Sequence, residues 1–113
     1  MKIGATMMQI KPWEVWLASV RFEDQPNQSK KRPVVVTSAG EIFVLALKVT
    51  SHSPRLVWGE YALTEWRFAG LSKPSTVRVG NPLRLDAGDM VFRMGALHPL
   101  DIIAIQSILS TKK

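Results

Sequence analysis

The sequence predicts a mainly β protein, in which a small, strongly bent antiparallel sheet or barrel is capped by a helix near the C-terminus. Short runs of β-branched, aromatic and aliphatic residues dominate the chain as far as Leu85, and polar or Gly- and Pro-containing segments separate them. Helical spacing of apolar residues is sustained only in the last stretch, 97–109. Strands followed by small helices are typical of this architecture.

Three strands are predicted in the first half of the chain. The segment 13–22 (WEVWLASVRF) combines mixed alternation with strong β-formers, and the polar segment 23–32 (EDQPNQSKKR) follows it as a long loop. A second strand, 33–38, tolerates Pro33 as its first residue. After a turn at Ala39 and Gly40, the nearly all-apolar segment 41–50 (EIFVLALKVT) predicts a strand buried in the middle of the sheet.

The second half is predicted to hold shorter elements. A polar loop covers 51–59, and strands are predicted at 60–63, at 76–79 and, after Pro82, at 83–85. Two short helices are expected, the first at 65–69 between Thr64 and Gly70, and the second between Asp86 and Gly95.

The predicted final helix, 97–109, has Pro99 at its first helical position. It carries a broad apolar stripe, which consists of Leu100, Ile102, Ile103, Ala104, Ile105, Ile108 and Leu109. This apolar excess suggests a second use for the helix, as part of a homodimer interface.

Length and composition restrict the classes of protein that fit. The 113 residues suit one domain, 1–113, with a core at about 13–110. Apolar residues make up 46% and charged residues 21%, which argues against wholesale disorder. The absence of Cys removes disulfides and thiolate sites, and favours a reducing compartment such as the cytoplasm. No apolar run reaches membrane-span length, and residues 1–11 are too weakly apolar for a secretory signal.

The charge balance favours a polyanionic partner. Fifteen Lys and Arg against nine Asp and Glu give a formal charge of +6. The clearest basic run is Lys30-Lys31-Arg32, whereas the tail Lys112-Lys113 reads as a solvated terminus.

Metal and nucleotide cofactor sites are not predicted. His52 and His98 are the only imidazoles, and no HExxH or paired-carboxylate spacing accompanies them. No glycine-rich phosphate cradle and no nucleophile elbow occur. We therefore expect no cofactor.

Two constellations remain as candidate chemistry. Arg32 stands before Pro33 at a strand start, where its guanidinium can bind a phosphate in bidentate fashion. The segment 50–53 (Thr-Ser-His-Ser) ends an apolar strand with hydroxyls and an imidazole. The alternative interpretation is that Thr50 is an ordinary β-branched strand residue and His52 an ordinary loop histidine.

These segments resemble the MazF/PemK family of toxins from bacterial toxin–antitoxin systems. The resemblance lies in WEVWLASVRF, KKRPVVV, EIFVLALKVTS, KPSTVRVGNPLRLD and HPLDIIAIQSIL, which occur in the family's order. It implies an SH3-like barrel of the MazF/PemK/CcdB type, a homodimer in the bacterial cytoplasm, and an antitoxin partner with an acidic, disordered tail. It also implies a metal-independent, sequence-specific endoribonuclease. Such an enzyme uses the 2′-hydroxyl of single-stranded RNA and leaves 2′,3′-cyclic phosphate and 5′-hydroxyl ends.

The resemblance assigns residues by motif position. Arg32 matches the family's catalytic Arg before Pro, Thr50 matches its catalytic Thr at the strand end, and Ser51 is the neighbour of Thr50. Lys30, Lys31 and Arg55 are then expected to bind RNA. The sequence does not identify the general base, although His52 has a suitable side chain.

Two departures from the family pattern stand out. Many members have Gly-Asp where this chain has Trp13-Glu14. Some members have an Arg-Thr-Ile-Asp run where this chain has Leu83-Arg84-Leu85-Asp86, so Arg84 is displaced by one position. A displacement of one residue in a strand points the side chain to the opposite face, and Arg84 and Asp86 are therefore secondary candidates.

Two readings without RNA cleavage stay open. One is a CcdB-like barrel that poisons a topoisomerase, and the other is a barrel that binds nucleic acid without catalysis. If the protein binds nucleic acid, with or without cleaving it, several aromatic side chains are candidates for stacking against bases. They are Trp13, Trp16, Phe22, Trp58 and Trp66, although Trp16 fits the core better.

Overall fold

The computed structural model describes residues 10–21, 25, 27–55 and 57–111. The predictions for Phe22 and for Lys112-Lys113 lie outside these residues. The elements are β1 (Glu14–Arg21), β2 (Ser29–Ala39), β3 (Phe43–Thr50), β4 (Glu60–Ala62), β5 (Thr76–Asp86), a 3-10 turn (Ala87–Asp89), β6 (Met90–Ala96) and α1 (Pro99–Ser110). All strand pairs are antiparallel, and the sheet order is β4-β5-β3-β2-β1-β6. The predicted mainly β class with a C-terminal helix is confirmed.

Strand β2 begins earlier than the sequence predicted. Residues 29–32 were expected to belong to a loop, but they pair with the second half of β1, from Arg21 opposite Ser29 to Ala18 opposite Arg32. The segment lacks apolar residues, so local patterning carries no strand signal. Its strand conformation comes from the partner strand, and it fixes Arg32 within regular structure.

Strand β5 continues through Pro82, where two separate strands were predicted. Pro82 lies opposite Leu47, directly beside a register shift between Leu47 and Val49. Proline has no N–H to donate to the ladder, and an irregular position tolerates that loss.

Both predicted short helices are reduced to turns, and the second, which has Asp86 at its N-cap and Asp89 in its first turn as expected, does not extend towards Gly95. The segment after Asp86 forms only the 3-10 turn, and Met90–Ala96 is strand β6, which pairs with β1. Residues 65–70 form a series of hydrogen-bonded turns that ends at Gly70, whose φ is +89°. In both places the sheet and the core around it outweigh weak helical signals.

The sheet is buried on both faces. Successive residues of β2 alternate between the two apolar clusters: Val35 packs with Leu47 and Ile105 on one side, and Val34 and Val36 pack with Trp16 on the other. Helix α1 covers the first side with its inward-facing apolar residues, which are Ile102, Ile105, Ile108 and Leu109.

Helix α1 begins at Pro99 as predicted, and His98 Nδ1 accepts a hydrogen bond from the Leu100 N–H at 3.1 Å. Leu100 and Ile103 stay exposed, so most of the apolar excess of the helix serves the core of this chain. No helix in the described part of the chain has the length and apolar character needed to cross a membrane.

Candidate active site

The sheet register brings Arg32 and Thr50 together. The pairing of β2 with β3 ends at Val34 opposite Lys48, and Arg32 and Thr50 each lie two residues beyond that last pair, at the same end of the sheet. On the outer strands, Ala18 of β1 lies opposite Arg32 and Thr76 of β5 lies opposite Thr50. Arg32 thus has a small neighbour, Ala18, on the β1 side.

An open pocket of about 190 Å³ lies over this end of the sheet. We call it the basic pocket, and its lining residues are Lys30, Lys31, Arg32, Pro33, Val49, Thr50, Ser51, Leu71, Ser72, Lys73, Ser75 and Met94. Five of the residues predicted from sequence therefore line one cavity, although the chain separates them into two segments.

Charge in the basic pocket is of one sign. Four cationic residues line it, Lys30, Lys31, Arg32 and Lys73, and no acidic residue does so among those the structure describes. Hydroxyl groups of Thr50, Ser51 and Ser75 add neutral hydrogen-bond donors. This combination suits a phosphodiester, because cations neutralise its charge and hydroxyls donate to its non-bridging oxygens.

His52 lies beside Thr50 at the edge of the basic pocket. Its Nδ1 atom is 3.5 Å from the Thr50 hydroxyl oxygen, and its backbone carbonyl accepts a hydrogen bond from Thr76 Oγ1 at 2.6 Å. The side chain is exposed, whereas Thr50 is only 8% exposed. The imidazole is therefore held near the pocket by a fixed backbone while it remains open to solvent and ligand.

His52 also lines a second pocket of about 140 Å³, which shares Ser51 and Ser75 with the first. We call it the side pocket. Its lining residues are Ser51, His52, Ser53, Pro54, Ala62, Leu63, Trp66, Pro74, Ser75 and Thr76.

Arg55, a predicted RNA-binding residue, lies outside both pockets and is paired with an acid. Its guanidinium donates to Glu60 Oε2 at 2.7 and 3.1 Å, and its backbone N–H donates to Glu60 Oε1 at 2.8 Å. These hydrogen bonds lower the pKa of Glu60 to about 2. Arg55 thus holds the loop after His52 in place, with its charge compensated by Glu60.

Arg84 and Asp86 lie at the opposite end of β3 from Thr50. The register pairs Phe43 with Asp86 at one end of the strand and Thr50 with Thr76 at the other. The Arg84 guanidinium stacks over the Phe43 ring, 4.1 Å from its centroid. Within this chain the structure does not bring either residue to the basic pocket.

Several residues that line the basic pocket were not predicted from the sequence as site residues. Lys73 and Ser75 come from the loop before β5, and Met94 comes from β6, which was predicted to be helical. The sequence does carry a weak signal for the loop, since a Lys-Pro-Ser run precedes a strand. Nothing in it indicates that this strand pairs with the one that ends at Thr50.

Trp13 and Glu14, which stand where many MazF/PemK members have Gly-Asp, have structural roles in this chain. Trp13 has a φ of 71°, a left-handed conformation that glycine adopts without strain, at the position where many MazF/PemK members have Gly. Glu14 accepts hydrogen bonds from Trp16 Nε1 and Arg93 Nε, both at 2.9 Å. Burial alone would raise the pKa of Glu14, but these hydrogen bonds and one from the Lys11 N–H outweigh it and lower the pKa.

The candidate aromatic platforms have different surroundings. Trp16 belongs to the core at 6% exposure, as expected, and Trp13 packs partly against the other apolar cluster. Trp58 is 51% exposed and lies outside both pockets, whereas Trp66 lines the side pocket.

Metal-ligating side chains do not cluster in the described part of the chain, where no group of three or more His, Asp or Glu residues is placed to hold an ion.

Solved structures with the same fold include bacterial toxins and nucleases. A Mycobacterium tuberculosis toxin, MazF-mt6, superposes with a TM-score of 0.66 at 19% identity, over 86% of this chain and 92% of that one. An endoribonuclease from a mycobacterial species gives a TM-score of 0.68 at 16% identity, over 90% of this chain and 88% of that one.

A mycobacterial endoribonuclease in complex with its cognate antitoxin also gives a TM-score of 0.68 at 16% identity, over 90% of this chain and 92% of that one. No family model and no curated protein sequence matches the chain. The six-stranded sheet with its C-terminal helix is therefore the MazF toxin fold.

Proposed function

We propose that this protein is the toxin of a bacterial toxin–antitoxin system and acts as an endoribonuclease on single-stranded RNA. The observation that carries the proposal is that Arg32 and Thr50 line one open, basic pocket. The fold shared with a MazF toxin and with mycobacterial endoribonucleases supports it.

The proposed reaction is an internal transesterification. The 2′-oxygen of a ribose attacks the adjacent phosphorus, the bond to the 5′-oxygen breaks, and the products carry a 2′,3′-cyclic phosphate and a 5′-hydroxyl. Negative charge accumulates on the non-bridging oxygens in the transition state. Arg32 stabilises that charge, and Thr50 and Ser51 donate hydrogen bonds to the same oxygens. Lys30 and Lys31 hold the flanking phosphates.

Substitution of the two central residues tests this assignment. Arg32→Ala and Thr50→Val are each expected to reduce cleavage of single-stranded RNA about 100- to 1000-fold, since each removes a donor to the developing charge. Arg84→Ala is the matched comparison, because Arg84 is also a strand arginine but lies at the far end of β3. Cleavage is measured on gels in EDTA, with the fragment ends mapped.

Product chemistry and metal dependence are read from the same gels. New 5′-hydroxyl fragments in EDTA are the expected result. Arg32→Ala activity within tenfold of the parent would contradict the assignment. Intact but protein-bound RNA would instead favour the barrel that binds nucleic acid without catalysis, and neither cleavage nor binding would favour the CcdB-like reading.

Removal of the proton from the attacking 2′-hydroxyl is assigned to His52, whose imidazole lies 3.5 Å from the Thr50 hydroxyl, and solvent water supplies the proton to the leaving 5′-oxygen. An imidazole readily exchanges a proton near neutral pH, and a positioned acid or base accelerates such steps about 100- to 10,000-fold. We expect His52→Gln to lower the cleavage rate by at least about 100-fold. An unchanged cleavage rate would remove His52 from the mechanism.

An antitoxin with an acidic, disordered tail is the proposed protein partner, and the bacterial cytoplasm is the proposed location. Four cationic residues in the basic pocket offer an acidic tail the same charge complementarity that they offer RNA. One neighbour in fold is an endoribonuclease in complex with its cognate antitoxin, which supports this part of the proposal.

A homodimer is also proposed, and the start of α1 offers it an apolar surface. Phe68, Leu100 and Ile103 are each about 60% exposed, and Phe68 contacts His98 directly before the helix. We expect light scattering at micromolar concentration to give the mass of two chains, and Ile103→Glu to give that of one. A monomeric parent would overturn this part of the proposal.

A further inference from the structure

We propose that the side pocket binds one unpaired RNA base, from the nucleotide next to the scissile phosphate, against Trp66. This inference rests on the proposed function, because it takes the basic pocket as the place of the scissile phosphate. The basic pocket contacts only the sugar–phosphate chain of the RNA. The side pocket would add to it a subsite that selects among bases.

The position of the side pocket is the first argument. Ser51 and Ser75 line both pockets, so the side pocket adjoins the basic pocket, in which the phosphate is held at Thr50. In a single strand each base branches directly from the ribose that joins two phosphates. A base next to the scissile linkage is therefore the part of the RNA that the side pocket is placed to receive.

The chemistry of the walls is the second argument. Trp66 supplies an aromatic surface, and the Arg67 guanidinium lies 4.5 Å from the centroid of its ring, so that one side of the indole carries a cation. His52, Ser51 and Ser53 supply an imidazole and two hydroxyls. An aromatic surface with donors and acceptors beside it is the usual arrangement for an unstacked base, which has a π face and a polar edge.

Rigidity of the walls is the third argument. The His52 wall is held by Thr76 Oγ1, which donates to the His52 carbonyl, and by Arg55, which is bound to Glu60. The Trp66 wall is held by Asp101, which accepts the Thr64 and Glu65 backbone N–H groups at 3.0 and 2.9 Å. A pocket whose walls are fixed before binding spends little free energy on ordering, so it can discriminate between ligands.

Binding of uncleavable RNA tests the subsite separately from catalysis. A set of 2′-O-methyl octamers, each with an abasic residue at a different position, lacks the attacking hydroxyl and reports only affinity. For the parent protein we expect one position at which loss of the base weakens binding about 5- to 150-fold, the range for one stacked base.

Two protein variants and a control variant test whether the base at that RNA position binds in the side pocket. In Trp66→Leu the position-specific loss is expected to disappear, and in Trp58→Leu it is expected to stay, since Trp58 is exposed and lines neither pocket. Ala62→Phe fills the pocket from the exposed face of β4 without removing a core side chain, and it is expected to abolish the same preference. This second variant decides the question if Trp66→Leu does not fold.

The outcomes are distinct. An abasic scan that is flat in the parent, or that keeps its single position in Ala62→Phe, overturns the subsite even if Arg32-dependent cleavage is observed. Cleavage that does not depend on Arg32 overturns the proposed function, whatever the scan gives. An acidic peptide that competes for the side pocket while RNA binding is unaffected by Ala62→Phe would assign the pocket to a protein partner and overturn the RNA subsite.

Discussion

At the scale of single residues, the buried carboxylate of Asp101 has the most demanding environment. It is fully buried on α1 and accepts hydrogen bonds from the Tyr61 hydroxyl at 2.6 Å and from the Thr64 and Glu65 backbone N–H groups. Burial, followed by the hydrogen bond to Asp101, raises the pKa of Tyr61. Asp101 thus joins the helix to the turn that carries Trp66.

Replacement of Asp101 by its neutral isostere measures this contribution. Asp101→Asn is expected to lower the free energy of unfolding by about 2 to 3 kcal/mol, because the new NH₂ group faces donors and leaves at least one buried group unpaired. Asp89→Asn is the control, since the carboxylate of Asp89 makes an exposed hydrogen bond, and it is expected to cost under about 1 kcal/mol. Urea unfolding measures both, and equal effects would contradict the role given to Asp101.

Glu60 makes the stability of the protein depend on acid pH. The pKa of its carboxyl in the folded chain is about 2, against an ordinary value of 4.5. Because the folded pKa is the lower one, the ion pair with Arg55 stabilises the protein above about pH 4.5, and its contribution is lost as the pH falls towards 2.

The corresponding prediction compares urea unfolding at about pH 6 and about pH 3. The parent is expected to lose more stability on acidification than Glu60→Gln, which has no carboxylate to protonate. Glu41→Gln, at an exposed turn position, should lose as much as the parent. If Glu60→Gln shows the same loss as the parent, the ion pair does not contribute to the stability.

At the scale of elements, a close backbone contact between the turn before Leu71 and strand β6 determines one wall of the basic pocket. Gly70 has a φ of +89°, and a Cβ atom there would overlap the Met94 carbonyl oxygen. Gly95 has the reciprocal contact with the Ala69 carbonyl. Glycine at these positions allows Leu71 and Met94 to line the same pocket.

Gly70→Ala is therefore expected to lower the free energy of unfolding by about 2 to 4 kcal/mol, through backbone strain and overlap. Gly88→Ala is the matched control, because a Cβ atom there meets nothing within 4 Å. It should change the stability by less than about 1 kcal/mol, since it chiefly restricts the unfolded chain. Thermal unfolding of the two variants decides the point, and similar melting temperatures would disprove the close contact.

At the scale of the whole molecule, the chain carries a net charge of +6, and part of its positive charge lines the basic pocket, where it can bind a polyanion. The basic pocket gathers Lys30, Lys31, Arg32 and Lys73 from two distant parts of the chain. If each cation neutralises one phosphate of a single strand, the logarithm of the binding constant should fall with the logarithm of salt concentration at a slope of about −3.

Titration of uncleavable single-stranded RNA at several salt concentrations checks this slope. Lys73→Ala is expected to reduce its magnitude to about 2, because one phosphate contact is lost. Lys11→Ala removes the same charge from an exposed site outside the pocket and should leave the slope unchanged. A slope near zero for the parent would mean that phosphates do not bind in this pocket.

Local patterning was sufficient for the mainly β class, the central strand that ends at Thr50 and the final helix that begins at Pro99. Each of these has a strong signal of its own, since apolar runs and periodic apolar stripes report burial directly. Arg32 and Thr50 became candidates through short runs of residues together with the resemblance to the MazF/PemK family, because the runs alone left an ordinary strand residue as an alternative for Thr50.

The remaining features depended on contacts between distant segments. Residues 29–32 became a strand only through pairing with β1, and Met90–Ala96 became a strand rather than a helix through the same partner. Lys73, Met94 and Trp66 reached the two pockets because loops and strands far apart in the chain meet at one end of the sheet. A one-dimensional pattern records which residues are apolar or charged, whereas register and strand order arise from the packing of the whole chain. For that reason the types of chemistry could be read from the sequence, and the site in which they meet could be read only from the fold.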